Sequence, residues 1–162
     1  SDNKEILINI NYLRPLIQKS IERLENSGAE LIVLMCTGEM GFFRSNAFFV
    51  ESSTIVRNIA EALGEGKRVG IFIPDEKQLT QMIKRWNSIK TAEIHALSPY
   101  LNADETEKII EKYNNKKWDM VVLDCMGYTE EIKNIISEKL NTKVLLSRSV
   151  IARVVAELGC DI

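Results

Sequence analysis

Long apolar runs are absent from this chain of 162 residues. The longest span several residues, far short of the ~20 that a membrane-crossing helix needs, so no such helix is expected. Charge of one sign is also scarce. The net charge of -2 provides no broad basic field to attract nucleic acid or anionic lipid. The one histidine, His95, lies inside a strand pattern without partners for base chemistry, which favours a structural role. The three cysteines, Cys36, Cys125 and Cys160, cannot all pair with one another. Their spacing matches no zinc pattern, so reduced thiols are expected, and Cys160 reads as incidental. Neither a Gly-x-Gly-x-x-Gly motif nor a phosphate loop is present. The Gly64-Glu65-Gly66 turn precedes a strand rather than opening a helix, which disfavours dinucleotides and ATP. No solenoid repeat or low-complexity segment occurs. The polar start, Ser1-Asp2-Asn3-Lys4-Glu5, carries no export signal, and the expected location is the cytoplasm.

What the chain does have is a pair of cysteines in matching places. Leu31-Ile32-Val33-Leu34-Met35 is an apolar run that ends in Cys36-Thr37-Gly38. Met120-Val121-Val122-Leu123-Asp124 is a nearly apolar run that ends in Cys125-Met126-Gly127. Such runs, bounded by turn residues, predict buried strands of a parallel sheet. Each cysteine then stands where a strand stops, the edge at which open α/β sheets bind ligands. Thiolates are nucleophiles and, at tuned pKa, bases toward carbon acids. A helix opening at Thr129 would lower the Cys125 pKa through its partial positive charge and make the thiol quick to alkylate near neutral pH. Two thiols on opposite sides of one carbon would suit racemisation. The plain alternative is two small buried residues at strand ends.

Strand and helix patterns alternate along the whole chain. Strands are predicted over 5–10, 31–35, 47–50, 68–73, 92–97, 120–124 and 143–147. Helices are predicted over about 12–26, from Ser52 or Ser53 to about 63, after Asp75, from the Asn102/Glu105 capping box to about 114, 129–140 and 150–158. Pro15 falls in the first helical turn, where it is tolerated. This alternation predicts an α/β fold with parallel sheets. Residues 67–147 make a complete small lobe, whereas 1–66 is short of elements. A strand–helix segment preceding it, or a partner chain, would cover the gap, so a homodimer is one expectation. Residues 148–162 form a last helix expected to pack back toward the first lobe.

Two stretches carry a family resemblance. Ala29-Glu30-Leu31-Ile32-Val33-Leu34-Met35-Cys36-Thr37-Gly38-Glu39 and Trp118-Asp119-Met120-Val121-Val122-Leu123-Asp124-Cys125-Met126-Gly127-Tyr128 resemble the central motif of the AroM family. The tail from Val144 to Leu158 is similar to that family's ending, and Phe49-Val50-Glu51 and Val69-Gly70-Ile71-Phe72-Ile73-Pro74 fit between in the same order. AroM-like proteins are longer at the N-terminus by one strand–helix–strand unit, about 30 residues or somewhat more. The family in turn resembles the aspartate/glutamate racemase superfamily. That resemblance implies two Rossmann-like lobes with parallel sheets and a pseudo-twofold relation, the first lobe here lacking its N-terminal strand–helix segment. It also implies one cysteine from each lobe, Cys36 and Cys125, as catalytic groups, and chemistry without a cofactor or metal. The flanks differ from the superfamily's usual Asn-Thr after the first cysteine and Gly and Thr around the second: here they are Thr37-Gly38, Asp124 and Met126.

Around the thiols, Thr37, Gly38, Ser45, Asn46, Gly127, Tyr128 and Thr129 are candidates to bind a substrate carboxylate through hydroxyls, amides and backbone N–H groups. Thr129 equally suits a helix cap, and Ser45 and Asn46 a polar loop. Asp124 would orient a neighbour, raise the Cys125 pKa by like charge, or bond to backbone N–H groups. Phe42, Phe43, Phe48 and Phe49 read as core or lobe-interface residues, and Lys116 and Lys117 as a solvated loop. Three functional readings follow. One is a cofactor-independent racemase, isomerase or lyase acting on a small carboxylate. The second is a carboxylate-binding or regulatory protein without turnover. The third is a redox-sensing thiol pair.

Overall fold

The computed structural model describes residues 9–159. The strand expected over 5–10 lies outside them apart from its end, as does Cys160. Asn9 starts the first helix instead, its side chain accepting from the Asn11 N–H at 2.9 Å. Helix α1 therefore covers Ile10–Asn26, two residues earlier than its apolar spacing predicts, and Pro15 sits inside it rather than in its first turn. Gly28, at φ 89°, supplies the left-handed turn that ends it. Strands β1 (Leu31–Leu34) and β2 (Phe48–Glu51) pair in parallel. Ile21 of α1 packs with Ile32 and Phe43, with Ile17 and Phe49 around them. Phe42 and Phe48 do not join this cluster; both are well exposed, because the loop turns Phe42 outward and alternation sends Phe48 to the opposite face from Phe49. These elements form one compact unit, and the segment Met35–Thr37 together with everything from Ser52 onward forms the other.

The second unit has helix α2 (Ser52–Gly64), strand β3 (Val69–Ile73), helix α3 (Leu79–Arg85), strand β4 (Ala92–Ala96), helix α4 (Ala103–Ile110), strand β5 (Met120–Leu123), helix α5 (Glu130–Leu140), strand β6 (Lys143–Leu146) and helix α6 (Ser147–Glu157). Short 3-10 turns precede α3 and follow α4. Asp75, Asn102 and Thr129 cap as their side chains require, and Asn102 with Glu105 completes the reciprocal box. The sheet is parallel, in the order β4-β3-β5-β6. Its central strands are apolar on both faces. Val69, Ile71, Ile73, Met120 and Val122 pack with Ala60, Met82 and Trp86 on one side. Phe72, Val121 and Leu123 pack with Ile110, Ile132 and Ile136 on the other. Period two thus assigns one set of side chains to α2 and α3 and the other to α4 and α5.

His95 is structural in the manner expected. It is half-buried among Phe72, Tyr113 and Trp118, with ring centroids 4.7–6.2 Å apart. Burial lowers its pKa, with Glu93 opposing. Lys116 is not merely solvated: its ammonium bonds to Glu93, whose own pKa it lowers. No helix among the described residues is long and apolar enough to cross a membrane.

Gly70 is where the sheet tolerates no side chain. A Cβ there would come within 2.6 Å of the Trp118 indole. Gly70→Ala is expected to cost about 1–3 kcal/mol through overpacking, read as a lower urea midpoint at unchanged slope. An unchanged midpoint would show that Trp118 moves aside without cost.

Candidate functional site

The strand order fixes where the second unit can bind a ligand. From β3 the chain goes to β4 on one side and then returns to β5 on the other. The carboxyl ends of β3 and β5 therefore flank the point at which the winding reverses, the place where open α/β sheets hold ligands. Asp124 and Cys125 follow β5 at that point. Cys36 and Thr37 belong to the same compact unit.

Asp124 is almost wholly buried. Its N–H donates to the Phe72 carbonyl at 2.9 Å, continuing the ladder past the end of β5. Its Oδ2 accepts from the Trp86 indole N–H at 2.8 Å and lies 3.4 Å from Arg85 Nε. Both charged side chains of this pair are 1% exposed. Arg85 in turn donates from Nη2 to the Ser53 carbonyl at 3.0 Å, at the start of α2. Burial pushes the Asp124 carboxyl above its ordinary pKa, while Arg85, the Trp86 bond and Thr37 act against that. The permanently charged guanidinium favours the carboxylate form. The main-chain carbonyl of Asp124 accepts from Thr37 Oγ1 at 3.2 Å. This buried bond ties the Cys36 segment to the Cys125 segment.

Cys125 is half-buried and reduced, as is Cys36. The Gly127 N–H donates to its Sγ at 3.3 Å. A Cβ on Gly127 would press to 3.1 Å from the Pro99 ring, so glycine lets this turn fold tightly over the sulfur. The Cys125 pKa is raised, first by burial and then by the charges of Asp124 and Cys36, with the Gly127 bond opposing. This corrects the expectation of a lowered pKa. Thr129 does cap α5, accepting from the Ile132 N–H at 3.3 Å, and burial is the largest influence on the Cys125 thiol.

Of the other candidate binding residues, several have their polar atoms engaged elsewhere. The Tyr128 hydroxyl is wholly buried and donates to the Leu97 carbonyl at 2.6 Å. Thr129 acts as the cap. Ser45 donates to Glu25 Oε1 at 2.7 Å, and the Asn46 and Ala47 N–H groups donate to the same oxygen, so the alternative of a polar loop is realised. Gly38 opens that loop's unit, immediately after Thr37. Thr37 and Gly127 remain beside the thiols. The sequence does not single out Arg85 or Trp86 as site residues: Arg85 follows Lys84 in the last turn of α3, where basic side chains are common, and Trp86 reads as an apolar position of that helix. No group of three or more His, Cys, Asp or Glu side chains among the described residues could hold a metal ion.

Comparison with known proteins bears on the family and the fold. A family model described as AroM protein matches residues 1–159. No curated protein matches. Among solved structures, unliganded arylmalonate decarboxylase superposes with a TM-score of 0.66 at 14% identity, covering 96% of this chain and 79% of that one. Glutamate racemase from Francisella tularensis in complex with D-glutamate gives 0.59 at 14%, covering 95% and 67%. An aspartate racemase homologue from Pyrococcus horikoshii gives 0.57 at 17%, covering 91% and 74%. At these identities the likeness is one of fold.

The Ser45 loop yields a test. Its bonds lower the Glu25 pKa, Ser45 contributing most. A carboxylate whose folded pKa is depressed adds stability above its unfolded pKa and loses it as pH falls through the folded value. The difference in urea midpoint between wild type and Glu25→Gln is therefore expected to be full at neutral pH and to close in the acid range. A gap independent of pH would assign the effect to shape rather than charge.

Proposed function

The chain belongs to the AroM family and has the fold of the aspartate/glutamate racemases, and we propose that it is a cofactor-independent racemase, isomerase or lyase acting on a small carboxylate through Cys125 and Cys36. The observation that carries this reading is the Thr37–Asp124 bond, which brings the two thiol-bearing segments into one unit. The raised pKa of Cys125 suits an acid more than a base. At neutral pH its S–H bond is intact and can break toward a carbanionic carbon α to a carboxylate, leaving a thiolate that reprotonates from solvent or from product. In this reading Cys36 serves the opposite face, removing a proton where the reaction is a racemisation. In a decarboxylation the departing carbon dioxide leaves the carbanion, and one thiol is enough. Backbone N–H groups of the turns that carry Thr37 and Cys125 would hold the substrate carboxylate. The proposed substrate class is supported by the neighbours in fold, one of which holds D-glutamate and another of which is an arylmalonate decarboxylase. The reading includes a cytoplasmic location and keeps a homodimer as one expected assembly.

A second reading is a carboxylate-binding or regulatory protein without turnover. It is favoured by the engagement of Tyr128, Thr129, Ser45 and Asn46 in structural bonds. The deciding measurement uses amino acids, dicarboxylates and arylmalonates in deuterated water, followed by NMR. Exchange of the α-hydrogen or loss of carbon dioxide is expected for at least one of them. Cys125→Ala should slow it by about 10²-fold or more, the scale of a lost general acid. A compound that raises the melting temperature yet never exchanges or decarboxylates would establish the second reading instead.

A further inference from the structure

We infer that Asp124 is a positioning residue that holds the Cys36 and Cys125 turns in register, with its charge set beside the Cys125 thiol. The inference rests on the reading of these thiols as the reacting pair, but its observations concern geometry and charge alone.

Asp124 makes its contacts through different atoms in different directions. Its N–H fixes it to β3 through the Phe72 carbonyl. Its Oδ2 fixes it to Trp86 and Arg85, just past and within the end of α3. Its own carbonyl holds Thr37. Cys125 follows Asp124 in the chain, and Cys36 precedes Thr37. Each sulfur is therefore carried by the residue next to one end of the same hydrogen bond. Arg85 extends the brace to α2 through the Ser53 carbonyl.

Stability alone does not call for a carboxylate here. Buried ion pairs are often matched or bettered by apolar side chains of similar volume, because desolvation offsets their attraction. In addition, Asp124 Oδ1 is buried without a hydrogen-bond partner among the described residues. Such an oxygen is unfavourable unless it does something else. Its negative charge stands beside a half-buried thiol. The groups facing Cys125 are Asp124 next to it in the chain, Cys36 from the other turn, the Gly127 N–H and the buried Tyr128. Of the charged side chains near Asp124, Arg85 is the cation. Like charge from Asp124 disfavours the thiolate, and the rigid brace makes that influence constant.

The test is iodoacetamide alkylation of the full chain at a series of pH values, with Cys36 and Cys125 followed separately by peptide mass spectrometry. Asp124→Asn keeps the shape and removes the charge. Its Cys125 profile is expected to move to lower pH, with about a tenfold faster reaction at neutral pH for a shift of one unit. Thr37→Val should change the Cys36 rate severalfold, and Thr37→Ser should restore it. Trp86→Phe keeps the charge and should leave the Cys125 profile closer to wild type than Asp124→Asn does. An aspartate that merely stabilised the fold would change melting and leave both profiles superimposed on wild type. That result in folded Asp124→Asn would overturn the inference. Where Asp124→Asn does not fold, an unchanged Cys36 rate in Thr37→Val would do so. Shifted profiles in a protein that turns over no carboxylate would sustain this inference while removing the catalytic reading.

Discussion

Asp124 and Arg85 face each other at 3.4 Å with both side chains cut off from solvent, and the placement of the thiols depends on how that pair is held. Two buried charges are costly to desolvate, so neither can be removed alone without leaving the other uncompensated, a loss of about 3–5 kcal/mol in comparable cases. The Trp86 indole shares the load on Oδ2, and the Ser53 carbonyl takes a second guanidinium donor. The Arg85 guanidinium also lies 5.3 Å from the centroid of the Trp86 ring, an arrangement that favours the cation. The result is a small polar knot at the end of an otherwise apolar sheet. It touches α2, α3, β5 and the turn after β1, so the chemistry-bearing residues are fixed from several elements at once.

The sheet around that knot is uncompromising in another way. Strands β3 and β5 are buried on both faces, and their side chains divide cleanly between two helical layers. Gly70 marks the one position where Trp118 takes the space a side chain would need. Such a core leaves little freedom at the strand ends, and the strand ends are where open α/β sheets bind ligands. Ser147 shows the same economy: its hydroxyl donates to the Leu123 carbonyl at 2.6 Å, joining the start of α6 to the end of β5.

Much of this was legible in the residues. The apolar runs ending at the two cysteines, the Asn102/Glu105 box and the Thr129 cap all act locally, and each lies where its spacing indicates. The family resemblance was likewise contained in contiguous stretches. What was hidden came from distant partners. The Trp86–Asp124 bond spans 38 positions and the Thr37–Asp124 bond 87; neither leaves a pattern in sequence. Ser45 and Asn46 looked available because their acceptor, Glu25, belongs to a helix some 20 positions earlier. The start of α1 was misjudged because Asn9 competes for it with an alternating pattern that reads as a strand. The direction of the Cys125 pKa is not local either, because its largest cause is burial, which depends on the whole fold.

The tight turn over Cys125 has a bearing on how the protein ages. Peroxide attacks the thiolate, and the route from sulfenic to sulfinic acid begins there. A sulfur kept protonated by burial, with the Gly127 turn folded over it, meets oxidants slowly. The same enclosure slows the first step toward irreversible oxidation of this sulfur.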